Sequence, residues 1–109
     1  MNMMTLNNYK AKIEYDDEIE MFRGEILGLS GGSDFYASTV AQLHTEFEIS
    51  LQEYLSMCVE KNIEPRKEYS GKFNVRLSPH LHEALVEKAV TTGQSLNQYV
   101  IHTLENATG

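Results

Sequence analysis

The chain has 109 residues, 41% of them hydrophobic and 23% charged, a single cysteine and a formal net charge of −7. That balance fits one ordinary globular domain or two very small ones and excludes a disordered polymer. One cysteine excludes an internal disulfide, and no apolar run approaches the roughly 18 residues that a membrane helix needs.

The opening stretch "MNMMTLNNYKAK" has no apolar signal-peptide core, so a reducing cytoplasm is the expected location. The charge is unevenly spread. Residues 1–63 hold four basic side chains (Lys10, Lys12, Arg23, Lys61) against eleven Asp and Glu, a balance of −7. Residues 64–109 hold five of each sign and are neutral. An acidic part beside a neutral one implies two surfaces with different partners.

In chain order, "YKAKIEYDD" (9–17) alternates Tyr9, Ala11, Ile13 and Tyr15 with polar residues, the period of a half-buried strand. "DDEIE" (16–20) reads as a turn. "EMFRGEILGL" (20–29) reads as a second strand, in which Gly24 marks a bulge or a close backbone approach. "SGGSD" is a loop and "DFYAS" (34–38) a third strand. Short connections favour an antiparallel meander. A helix follows, with Thr39 as N-cap and Gln42 three residues on in a capping-box pattern. Val40, Leu43, Phe47, Leu51, Tyr54, Leu55, Cys58 and Val59 recur at helical spacing to about Lys61, an apolar stripe. The expected domain is βββα, a three-stranded antiparallel sheet with one helix, so the chain is α+β.

"NIEPRKEYSG" (62–71) has Pro65, Gly71 and charges without periodicity, and reads as a connection. The expected division is a domain over 1–63, a linker over 64–71 and a second domain over 72–109. In the last, Phe73, Val75 and Leu77 alternate with Lys72, Asn74 and Arg76 as a strand over 72–77. A helix from Pro79 to about Thr92 follows, with Ser78 as cap and proline where its missing N–H is harmless. After Gly93 a second helix runs from Leu96 to about Glu105, with Ser95 and Gln98 as a second capping box. A β-α-α unit of this size cannot enclose a core alone and is expected to pair with a copy of itself.

Strand, helix, turn, helix is the layout of the ribbon-helix-helix class, in which two chains pair their strands and present one face to the major groove of DNA. Phe73, Val75, Leu77, Leu81, Leu85, Leu96 and Val100 are then the dimer core. Lys72, Asn74 and Arg76 face DNA, with donor chemistry suited to guanine (Lys, Arg) and adenine (Asn) edges. Ser95, Leu96 and Asn97 open the second helix, whose backbone N–H groups suit a phosphate. The plainer reading of the same alternation is a strand with one wet and one dry face.

The residues also carry a family likeness. "GKFNVRLSPHLHEALVEKAVTTGQSLNQYVIHTLE", with Gly71, Lys72, Phe73, Arg76, Pro79, His82 and the block Ser95 to Gln98, resembles the ribbon-helix-helix domain of HicB-family antitoxins. "YKAKIEYDDE", "FRGEILGL" and "FEISLQEYLSMCVEKNIEPRKEYSGKF" resemble the N-terminal domain of the same family. The likeness covers about residues 9 to 105. Departures are Asn62 where glycine is common, Tyr99 where tryptophan is common, and a first turn "DEIEM" without glycine. The resemblance implies a type II antitoxin. Its N-terminal domain would block a small mRNA-cleaving HicA-type toxin, and its C-terminal dimer would bind operator DNA and repress its own operon. An acidic first part suits a basic toxin, with Asp16, Asp17, Glu18, Glu20 and Glu25 as candidate contacts. The helix face of Glu46, Glu53 and Glu60 competes with them. A stand-alone DNA-binding regulator without a toxin is the alternative, and a pure protein-interaction module is a third reading.

Other chemistry is weak. Adjacent carboxylates at 16–18 alternate faces on a strand, and His80 and His82 are two apart on a helix and cannot converge on one ion. Cys58 lies on the apolar stripe as a core thiol. No catalytic residue, metal site or cofactor is expected, and no enzyme.

Overall fold

The computed structural model describes residues 2–109. The chain divides into two compact units, one ending at Ser70 and the other spanning Gly71–Gly109.

The first unit is a four-stranded antiparallel meander in sequence order with one helix. The strands are β1 (Asn2–Leu6), β2 (Tyr9–Asp16), β3 (Met21–Ile26) and β4 (Asp34–Ala37), and the helix is α1 (Val40–Lys61). The expected sheet of three strands is therefore corrected to four. The missed strand, β1, pairs Met4 with Ala11 and Leu6 with Tyr9. It joins β2 through Asn7 and Asn8, both with positive φ (49° and 66°), the backbone that a two-residue hairpin turn demands and that asparagine tolerates.

Register sorts the faces. Ala11 and Ile13 on β2, Gly24 and Ile26 on β3, and Phe35 and Ala37 on β4 are buried. Helix α1 contributes Leu43, Phe47, Leu51, Tyr54 and Cys58 to that core and packs on β4 and β3. Phe47 stacks on Phe35 with ring centroids 5.2 Å apart. Gly24 is where it is because the Phe35 ring, its cross-strand partner, lies directly against it and would collide with a Cβ. The expected stripe of α1 is too wide at its ends, since Val40 and Val59 are exposed.

The helix ends follow local chemistry. The Gln42 N–H donates to Thr39 Oγ1 at 3.1 Å. The Gln42 side chain accepts from the Ser38 N–H, one residue before the N-cap, so the reciprocal half of the expected box is displaced. At the far end Asn62 is left-handed (φ 55°). The Asn62 N–H donates to the Val59 carbonyl and the Ile63 N–H to that of Cys58, the paired bonds of a Schellman cap. That conformation explains why asparagine can stand where glycine is common.

Part of the expected linker, 64–71, is bonded into the first unit. Arg66 bridges Leu29, the Ser30 N–H donates to the Pro65 carbonyl and the Lys67 N–H to that of Gly28. The Arg66 guanidinium lies 3.9 Å over the Tyr9 ring and donates to the Asn8 carbonyl.

The second unit holds α2 (Pro79–Thr91) and α3 (Leu96–Thr108). Ser78 caps α2 with Pro79 in the first turn. Ser95 and Gln98 form both halves of the capping box on α3. Gly93 takes the left-handed conformation (φ 70°), while the Gln94 N–H reaches back to the Ala89 carbonyl. Residues 72–77, expected as a strand, pair with none of the described strands. A strand exists through its ladder, and one copy of this unit contains no second strand to complete one. Only Ala89 of the described residues here is buried.

Candidate partner-binding surfaces

On the first unit the sheet face opposite α1 is a lattice of charge. Lys12 lies within 3.6 Å of Glu14 and 3.8 Å of Glu25. Arg23 donates to Asp34 at 2.6 Å, and that hydrogen bond and charge raise the arginine pKa further above its ordinary value. These exposed pairs add little to stability, but they decide which carboxylates are already engaged.

The structure splits the expected acidic set in two. Asp16, Asp17 and Glu18 gather at the β2–β3 turn, where with Glu14, Tyr15 and Arg23 they line a shallow concavity of about 340 Å³. The turn is held by the Glu18 N–H donating to Asp16 Oδ1. Glu20 closes it in a left-handed conformation (φ 54°). Glu25 stands apart, opposite Lys12 in the ladder and ion-paired with it. The competing acids Glu53 and Glu60 are exposed on α1 and Glu46 is half-buried.

On the second unit, Lys72, Asn74 and Arg76 are all exposed. So are the apolar residues between them, Phe73 at 77% and Val75 at 63%. Val75 and Leu77 line an apolar cleft of about 190 Å³ with Leu85, Val100 and Leu104. Of the other expected core residues, Leu81 is exposed and Leu96 is half-buried. The cap engages the Ser95 hydroxyl, which accepts from the Gln98 N–H at 3.1 Å. Asn97 is exposed. His102 Nδ1 lies 2.6 Å from Gln94 Oε1, and the Gln94 amide donates to Thr92 Oγ1, so side chains tie the α2–α3 turn to α3.

Three contributors escaped the sequence reading. Arg66 was assigned to a linker, although its spacing from Tyr9 carries no signal. Tyr54 sits on the expected stripe, but its hydroxyl accepts from the Gly31 N–H at 2.7 Å and lies 2.8 Å from Ser30 Oγ, fixing the β3–β4 loop. The Asn7-Asn8 pair was the available signal for β1. No cluster of three or more metal-ligating side chains occurs among the described residues, and no described helix is long and apolar enough to cross a membrane.

Residues 54–104 match the model of the HicB family. The match begins on α1, runs through the segment 62–78 and α2, and ends in α3. No curated protein and no solved structure matches the chain.

Proposed function

We propose that this chain, a HicB-family protein over residues 54–104, is the antitoxin of a type II toxin–antitoxin pair. It binds and neutralises a small basic mRNA-cleaving toxin through its acidic first unit and represses its own operon through a dimer of the second. The observation that carries the reading is the second unit's apolar surface. Phe73, Val75, Leu81 and Leu104 stay exposed in a single copy, alternating in the first two cases with Lys72, Asn74 and Arg76. Pairing 72–77 with the same segment of a second chain supplies the missing ladder, covers the apolar row and leaves the polar row outward, in the arrangement by which a two-stranded ribbon enters the major groove. The −7 balance of residues 1–63 supports a basic partner for the first unit, since opposite potentials speed encounter and disfavour wrong partners.

Co-purification with the product of the adjacent gene, followed by a gel shift on the upstream DNA, tests both halves. A bound small basic protein and a retarded upstream fragment are expected. DNA binding with no such neighbour would instead support a stand-alone regulator. Arg76→Ala is expected to weaken specific binding by about 1–3 kcal/mol if Arg76 reads a base edge. Unchanged operator affinity in the gel shift removes it from the reading set.

A further inference from the structure

In β2, Ala11, Ile13 and Tyr15 share the sheet face that looks toward α1. Their exposure nonetheless climbs along the strand, from 0% and 8% to 57%. Helix α1 packs on β4 and β3, so the end of this row on β2 runs out from under it. There Tyr15 meets its cross-strand partner Phe22 edge-on, with ring centroids 5.4 Å apart and planes at 67°. Phe22 is half-buried against the core. Ile19, in the turn that joins the two strands, is 50% exposed.

Tyr15 and Ile19, left largely in water at a hairpin tip, contribute little to the fold, and Phe22 joins them to the core. Tyrosine and phenylalanine are enriched in the buried centres of interfaces, where a few such anchors dominate binding energy inside a polar rim. The rim is present: Asp16, Asp17, Glu18 and Glu20 belong to the same hairpin. The nearest cation on the open sheet face, Arg23, is already bonded to Asp34. Anchor and rim together favour a basic protein surface with an apolar centre and repel an acidic one.

We propose that Tyr15, Ile19 and Phe22 form the apolar anchor of the face that receives the basic toxin, with the hairpin carboxylates as its charged rim. This rests on the antitoxin reading and locates its docking surface at the β2–β3 hairpin rather than on the acidic face of α1. The two parts have different kinetic signatures. Rim charges act mainly on encounter and on salt dependence, whereas a desolvated anchor governs dissociation.

The test measures association and dissociation of the full chain on the immobilised basic protein encoded by the adjacent gene, at two salt concentrations. Tyr15→Ala and Ile19→Ala are expected to dissociate at least about tenfold faster with little change in association. Tyr15→Phe should stay near wild type. Asp17→Asn with Glu18→Gln should slow association and flatten its salt dependence. Val59→Ala removes an equally wet apolar side chain from α1 (83% exposed) and should change nothing. Tyr15 and Ile19 are exposed, so melting temperatures close to wild type are expected, and they separate lost contact from lost fold. Wild-type dissociation rates for both alanine variants, in a chain that binds, overturn the anchor alone. A wild-type chain that does not bind overturns the antitoxin reading on which it rests.

Discussion

The two units use the same local devices to very different effect. Each helix is capped by a serine or threonine, α1 and α2 are each followed within two residues by a left-handed residue (Asn62, Gly93) and backward hydrogen bonds, and all three helices carry apolar residues at helical spacing. In the first unit four strands and a long helix face one another, and Phe47, Leu43, Leu51 and Cys58 lose nearly all contact with water. In the second, two helices of 13 residues each and a segment that belongs to no described strand enclose little more than Ala89. Capping and periodicity thus decide where helices lie, but enclosure depends on how many elements share one interior. A unit that falls short of that number is marginal by itself.

The sharpest way to break this comparison is at Phe47, which is completely buried and stacked on Phe35. Phe47→Ala should cost the first unit about 3–5 kcal/mol, read from denaturant unfolding followed by the tyrosines of the sheet. A loss below about 1 kcal/mol would mean that the core is not the closed one described.

The second unit should instead respond to concentration. If its helices are held by pairing, each tenfold dilution should lower the protection of α2 and α3 amides against hydrogen exchange by about 0.7 kcal/mol, because opening of a homodimer scales with the square root of concentration. Amides of β2 and β3 should stay unchanged. Protection of α2 and α3 that is independent of concentration would make the second unit as self-sufficient as the first.

The smallest effect concerns the cap that ends α1 in the first unit. Asn62→Ala should cost about 1 kcal/mol because alanine fits the left-handed region poorly. Asn62→Gly should be neutral or stabilising in the same unfolding measurement. Equal stability of the two variants would show that the left-handed turn is not what the position requires.

What was legible in the sequence follows from where the information lies. β2, β3, β4 and the helices each announce themselves through alternation, caps or glycine, and their observed bounds fall within three residues of those expected. β1 was harder because "NMMTL" carries a weak alternation, and only the left-handed Asn7-Asn8 pair marks its turn. Arg66 was illegible because its partners, Tyr9 and the Asn8 carbonyl, are brought to it by the fold and by no local pattern. Tyr15 read correctly as an inward-facing residue of the strand. That it ends up wet depends on where α1 stops covering the sheet, a tertiary fact that period-two alternation does not contain. Glu25 matched its acidic neighbours in composition, while the register placed it against Lys12 instead.

The contact between Arg66 and Asn8 spans 58 residues of sequence, whereas the hairpins of the meander close over short turns. Loops of that length are the last to repay their closure entropy. The segment 65–67 is therefore expected to dock after the sheet and α1 have formed, outside the structure of the folding transition state. An interaction absent from the transition state leaves the folding rate alone and slows unfolding. The stacked arginine then acts as a latch on the lifetime of the folded first unit, setting how long the sheet persists once made rather than how quickly it is made.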